Sequence, residues 1–344
     1  MKIGLIAPIW YPIPPVGYGG IELVVSLLAE GLVDKGHDVT VFASGDSKTR
    51  ARLVSSCDVA PCALIGQVYP DLVHALTAYT RAAEFDVIHD HSGIIGPSVG
   101  AFSATPVLHT LHGPATAEAK KLYNMLNFGL SFNAISNYQR SQFGDLSFVD
   151  TIYNAVDMGQ YPFSVEKEDY LLFLGRMNPE KGAHIAVDVA NRLGRRLVLV
   201  TKMVEPAEIE YFETRVKPLL DSNVEIMGEI DPVTKAGIFS KAACTLFPIQ
   251  WPEPFGLVMI ESMATGTPVV AMRQGAVPEV IADERTGYIV DTVDEMVEAV
   301  AKAQTLDPRE CRTYVEGRFS QDRMVDDYVA AYKQILEARS NKAA

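Results

Sequence analysis

Apolar residues occur in short unbroken runs, and each run is followed by a longer stretch in which apolar and polar positions recur with helical spacing. Runs of strand size fall at Lys2–Ala7, Val39–Ala43, Val87–Asp90, Val107–Leu111, Phe132–Ile135 and Thr151–Tyr153 in the first half. In the second half they fall at Tyr170–Leu174, Arg196–Thr201, Val224–Met227, Cys244–Phe247, Val269–Met272 and Tyr288–Val290. Continuous rather than alternating apolar character means that both faces of each strand are covered, as in parallel sheets. The pattern predicts an α/β protein of two doubly wound, Rossmann-like domains. A polar, proline-bearing stretch, Gln160–Asp169, separates them, and a helix over Ser320–Ala338 closes the chain before a polar tail, Ser340–Ala344.

Composition narrows the function. A chain of 344 residues has room for two domains. Its net charge of −13 speaks against nucleic acid, whose phosphates call for basic surface. The same balance gives no strong membrane signal, and no apolar run approaches the ~20 residues a membrane helix needs. Met1–Pro8 reads as a first strand, not a signal peptide. Cys57, Cys62, Cys244 and Cys311 lack any paired spacing, which points to free thiols in a reducing cytoplasm.

Candidate chemistry collects where strands give way to helices, the edge at which open α/β sheets bind ligands. Gly19-Gly20 precede the helical pattern Ile21–Lys35, so backbone N–H groups there can approach an anion. Gly17 and Gly19 fit the first two places of a dinucleotide fingerprint, but Glu22 stands in the last, and the loop is too long for a tight turn. His89-Asp90-His91 resembles a metal cluster, yet neighbouring strand residues face opposite ways. Loop hydrogen bonding is the expected role, with His91 lining the site. His112 ends a strand just before Gly113 and can present its ring to a sugar. Arg176 and Lys181 flank a strand–helix junction, a fork and a point charge suited to phosphate, although no Walker loop is present. Glu253 ends another strand's loop, and Glu261 lies two helical turns beyond it.

Taken together, Gly19-Gly20, His112-Gly113, Gly175-Arg176…Glu180-Lys181-Gly182 and Glu253-Pro254-Phe255-Gly256…Glu261 resemble, in order, retaining glycosyltransferases of family 4 (group 1). Gly36–Val39, Gly266–Val270 and Gly275–Glu279 extend the likeness over essentially the whole chain. The resemblance implies the GT-B fold: an N-terminal acceptor-side domain, 1–162 plus 325–344, and a C-terminal nucleotide-sugar domain, 163–324, facing a cleft. It implies that Arg176 and Lys181 hold a donor diphosphate with the backbone of Gly19 and Gly20. Glu253 and the backbone of Pro254, Phe255, Gly256 and Leu257 would hold the donor sugar. Glu261 would take the ribose, Gly228, Glu229 and Ile230 would border the base, and His112 would lie beside the reacting carbon or the C6 hydroxyl.

The expected reaction is hexosyl transfer from a UDP- or GDP-sugar to the hydroxyl of a small molecule or glycan. No cofactor beyond the nucleotide-sugar co-substrate is expected. No Asp-x-Asp occurs in the sequence, so no metal is expected either, the two cations serving in its place. No protein nucleophile stands out, which favours same-face attack. A sugar-nucleotide epimerase, a phosphorylase or a non-catalytic nucleotide-sugar binder on the same scaffold are the alternatives; no pyridoxal-lysine segment is evident for the phosphorylase.

Overall fold

The computed structural model describes residues 1–343, with Ala344 outside the described residues. It divides into two compact units, Met1–Ala155 with the chain from Gln321, and Val156–Ser320. The division differs from the expected 1–162/163–324 boundary because Val156 belongs with the second unit. Its N–H donates to the carbonyl of Phe319 at 2.9 Å, and Val156 bridges to Ser320. The last crossing therefore comes at Ser320–Gln321, four residues before the expected 325.

In the first unit seven parallel strands, β1 (Lys2–Ile6), β2 (Asp38–Phe42), β3 (Arg52–Val54), β4 (Val87–Asp90), β5 (Val107–Leu111), β6 (Ser131–Ala134) and β7 (Phe148–Thr151), lie in the order β3-β2-β1-β4-β5-β6-β7. In the second, β8 (Tyr170–Arg176), β9 (Arg196–Lys202), β10 (Val224–Met227), β11 (Cys244–Phe247), β12 (Val269–Met272) and β13 (Gly287–Val290) lie in the order β10-β9-β8-β11-β12-β13. The central strands are buried on both faces, Ile3, Leu5 and Ile6 in one sheet and Leu171, Leu172, Leu197 and Leu246 in the other. That is why they read as unbroken apolar runs.

The two departures are edge strands. β3 is only three residues, one exposed and two half-buried, too short to register as a run. β7 covers Phe148–Thr151 rather than Thr151–Tyr153, because an edge strand buries only part of itself and its apolar pattern is weak.

The helix Gln321–Ala343 runs through the stretch expected to be a polar tail, as far as the described residues go. It packs on the helix Gly20–Asp34, where Gly31 allows close approach: a Cβ there would run into Val325. Gln321 donates to the Leu27 carbonyl at 2.8 Å, and Lys35 pairs with Asp326 at 2.7 Å. Tyr328 and Tyr332 of the same helix are fully buried in the first unit.

Strand order reverses between β1 and β4 in the first unit and between β8 and β11 in the second. Crevices outside the carboxyl ends of strands at such reversals are where open α/β sheets bind ligands. Gly19-Gly20 follow β1 and His91 follows β4; Arg176 ends β8 and Glu253 follows β11.

Candidate active site

At the β8/β11 reversal the two candidate cations are held by carboxylates. Arg176 closes β8; its Nε donates to Oε1 of Glu208 at 2.9 Å and its Nη2 to Oε1 of Glu205 at 3.0 Å. Glu208 is only 1% exposed. Its other oxygen accepts the N–H groups of Val204 (2.9 Å) and Glu205 (3.1 Å), capping the helix Pro206–Tyr211. One buried carboxylate thus seals a helix start and anchors Arg176.

Lys181 ends the single turn Pro179–Lys181, which Asn178 caps by accepting the Lys181 N–H at 3.1 Å. Its Nζ meets Oε2 of Glu253 at 2.5 Å and lies 5.1 Å from the Trp251 ring centre. Trp251 Nε1–H donates to the same carboxylate oxygen at 3.1 Å. The loop carrying Glu253 is wedged in place from two sides. A Cβ at Gly275 would strike the Glu253 backbone, and one at Gly182 would strike the Pro248 carbonyl; both glycines have positive φ. Ala276 N–H donates to the Glu253 carbonyl at 2.9 Å.

Beyond Glu253, Pro254 is buried and Phe255 packs edge-on to Phe319 at 5.8 Å, so the Phe255 ring is core. Gly256 at φ 86° caps the helix Leu257–Ala264, which carries Glu261. Glu261, 3% exposed, accepts from the Tyr161 hydroxyl at 2.8 Å and from Lys235 Nζ at 2.6 Å, both on Oε1. Neither partner is marked by a sequence pattern. Lys235 sits in no recognisable motif, and Tyr161 lies 100 residues away in the linker. Gly228, Glu229 and Ile230 follow β10, the outer strand of this sheet, two strands from β8.

In the first unit Gly19 (φ 150°) caps the helix that Gly20 begins. Glu22, in the first turn of that helix, is 5% exposed, and burial pushes its carboxyl up to about 7. His112 is half-buried, with Nε2 2.9 Å from Nδ1 of His91; burial pushes its ring down to about 3. His91 departs from the expectation that it lines the site. It is 1% exposed, and both ring nitrogens face other histidines, His112 and His89. Asp90 points to the opposite face and accepts from Tyr79 and Ser92. His89, Asp90 and His91 therefore do not converge, and among the described residues no group of three His, Cys, Asp or Glu side chains is placed to hold a metal.

The two parallel-sheet α/β units have the architecture of a glycosyltransferase of the GT-B type. Residues 18–160 match the model described as Glycosyltransferase Family 4, and residues 168–305 that of Glycosyl transferases group 1. The chain belongs to glycosyltransferase family 4. It is 26% identical to the phosphatidyl-myo-inositol mannosyltransferase of Mycolicibacterium smegmatis, over 98% of this chain and 92% of that protein. It is also 26% identical to the D-inositol 3-phosphate glycosyltransferase of Acidothermus cellulolyticus, over 94% and 88%. The solved structure of AviGT4, a glycosyltransferase of avilamycin A biosynthesis, superposes with a TM-score of 0.75 at 27% identity, covering 98% of each chain. No helix among the described residues is long and apolar enough to cross a membrane.

Proposed function

We propose that this glycosyltransferase retains anomeric configuration and moves a hexosyl group from a UDP- or GDP-sugar to an acceptor hydroxyl, without a divalent metal. The observation that carries the reading is the pairing of Lys181 with Glu253 from loops after neighbouring strands β8 and β11. One cation and one carboxylate stand side by side where a sugar bonded to a phosphate offers both an anion and hydroxyl groups.

In the step proposed, the bond from the anomeric carbon to the β-phosphate oxygen breaks and the nucleoside diphosphate leaves with the electron pair. The acceptor oxygen bonds to the same face of that carbon, and its proton passes to the leaving phosphate. Arg176 and Lys181 oppose the charge that grows on the diphosphate, with the backbone of Gly19 and Gly20 assisting. Preset charges of this kind stabilise a transition state without rearranging during the reaction. Glu253 and His112 take sugar hydroxyls, and Glu261 takes the ribose, with Lys235 beside it as a further donor. The names of the two relatives, a mannosyltransferase and an inositol-phosphate glycosyltransferase, support a hexosyl group and a hydroxyl-rich acceptor. Work in a reducing cytoplasm fits the four unpaired cysteines.

The test begins with thermal shift against nucleoside diphosphates and their sugars, since a ligand that binds the native state raises apparent stability. Product formed from the stabilising donor is then examined by proton NMR, with and without EDTA. Retained configuration and EDTA-insensitive turnover are expected. An inverted product overturns the retaining reading, and activity lost in EDTA but restored by magnesium overturns metal independence. Isomerised nucleotide sugar as the main product, in the absence of acceptor, would make the protein an epimerase instead.

A further inference from the structure

Three histidines of the first unit form one hydrogen-bonded line. Nε2 of His112 lies 2.9 Å from Nδ1 of His91, and Nε2 of His91 lies 3.2 Å from Nδ1 of His89. The line ends on hydroxyl groups. Nδ1 of His89 also meets the Tyr332 hydroxyl at 2.7 Å, and its Nε2 meets Oγ1 of Thr110 at 2.7 Å. Thr110 in turn lies 3.2 Å from the Tyr328 hydroxyl, to which the Asn133 amide donates at 3.1 Å. His89, Thr110, Tyr328 and Tyr332 have no exposed surface, and His91 has almost none.

A neutral imidazole carries one N–H and one lone pair. In a line of such rings every bond runs from an N–H to a lone pair, so all three rings must carry their protons alike. The Asn133 amide can only donate, which leaves the Tyr328 hydroxyl to donate to Thr110 and the Thr110 hydroxyl to donate to His89 Nε2; His89 then carries its proton on Nδ1, and so do His91 and His112. Burial disfavours the charged form of every ring in the line, which keeps each to a single proton. Because Nε2 of His112 is taken by His91, Nδ1 is the ring nitrogen it has to offer a ligand. Which role a histidine nitrogen plays is set by the bond its other nitrogen makes.

We propose that His91, His89 and Tyr332 are positioning residues for His112. They lock its ring in one tautomer, so that Nδ1 meets a hydroxyl of the donor sugar with a single hydrogen-bond role. The strand spacing makes this possible: His89 and His91 are two residues apart across the end of β4 and share a face, and β5, which His112 follows, is the neighbouring strand. The proposal rests on the reading of His112 as a sugar-facing group. A role in core packing alone would leave the protonation of His112 and the chemical step untouched.

The experiment uses the full chain labelled with 15N-histidine, with His112→Ala supplying the assignment. Ring nitrogen shifts of His112 are read in the wild type, in His91→Phe and in Tyr332→Phe, each with and without UDP or GDP. The same proteins are assayed for release of nucleoside diphosphate from the donor and for nucleotide affinity. The wild type should show His112 at the limiting shifts of one tautomer, and His91→Phe should show averaged shifts. Turnover in His91→Phe should fall about 10- to 100-fold, the scale of loss when a metal-bound histidine is deprived of its orienting partner. Tyr332→Phe, which removes one oxygen at the far end, should fall severalfold, and nucleotide Kd should stay within about twofold in both. If His91→Phe unfolds, His91→Asn replaces it, since its amide reaches only the His112 side. Averaged shifts in the wild type, or wild-type turnover in the His91 and Tyr332 variants while His112→Ala is slow, overturn the relay alone. Wild-type turnover in His112→Ala overturns the reading of His112 beneath it.

Discussion

Lys181 Nζ lies 2.5 Å from Oε2 of Glu253, 72 residues away in sequence, and the Trp251 indole N–H shares the same carboxylate oxygen. Both side chains are mostly withdrawn from solvent, so each is the other's principal charge partner. Under the proposed function, a diphosphate and a sugar arriving here would share partners that are already engaged with one another.

This coupling sets a pattern for the two variants. Lys181→Ala should lose about 100- to 1,000-fold in kcat/KM, the usual loss when one fixed stabilising charge is removed. It should also cost about 1–3 kcal/mol in stability, since Glu253 is left with the indole alone. Glu253→Ala should mainly slow transfer and leave nucleotide affinity near wild type. Chemical denaturation of the double variant should recover part of the Lys181→Ala loss; strict additivity would show that the pair is not coupled.

Arg176 is held through Glu208, whose second oxygen caps a helix. Arg176→Lys should rescue little of the roughly 100-fold or greater loss expected for Arg176→Ala, because an ammonium cannot span Glu205 and Glu208 as the guanidinium does. Glu208→Gln, which keeps an acceptor but loses charge, should reduce kcat/KM less than Glu208→Ala. Equal activity of Lys and Arg at position 176 would show that the fork geometry is irrelevant.

Glu261 is tied to Tyr161 and Lys235. Glu261→Ala should weaken nucleotide binding by about tenfold or more, the scale of one lost hydrogen bond to a charged group. Tyr161→Phe leaves Lys235 in place and should have a smaller effect. Isothermal titration with UDP and GDP reads this directly. Equal losses of affinity in Glu261→Ala and Glu253→Ala would sink the division between ribose and sugar carboxylates.

Two buried groups make opposite contributions to stability as pH changes. Burial raises the Glu22 carboxyl from 4.5 to about 7, so between those values the folded state holds more protons and stability falls as pH rises. Glu22→Gln should therefore gain on the wild type from pH 5 to pH 8, by up to about 3 kcal/mol. Burial lowers the His109 ring from 6.5 to about 3, so the unfolded chain holds more protons in that window and stability falls as pH drops. His109→Phe should lose less stability than the wild type between pH 6.5 and pH 4. Denaturation midpoints across pH check both, and parallel curves for variant and wild type would refute either assignment.

Most of the framework was legible in the chain itself. Eleven of the thirteen strands are legible because buried parallel strands must be apolar on both faces, and this signal is local. The loops bearing Gly19, Arg176, Lys181 and Glu253 could be placed at strand ends for the same reason. Edge strands β3 and β7 gave weak signals, since half of each faces water.

Which side chains meet is a matter of long-range packing. Strand order brings β8 beside β11, and that alone joins Lys181 to Glu253. Lys235 beside Glu261, Glu208 beneath Arg176 and Tyr332 against His89 are likewise meetings of distant segments that no local pattern encodes. The elements and the residue types at their ends follow from the chain alone, because periodicity and turn chemistry act over a few residues. The partners of those residues, and the burial that moves Glu22 and His112 from their ordinary protonation, depend on how the strands are ordered and what covers them.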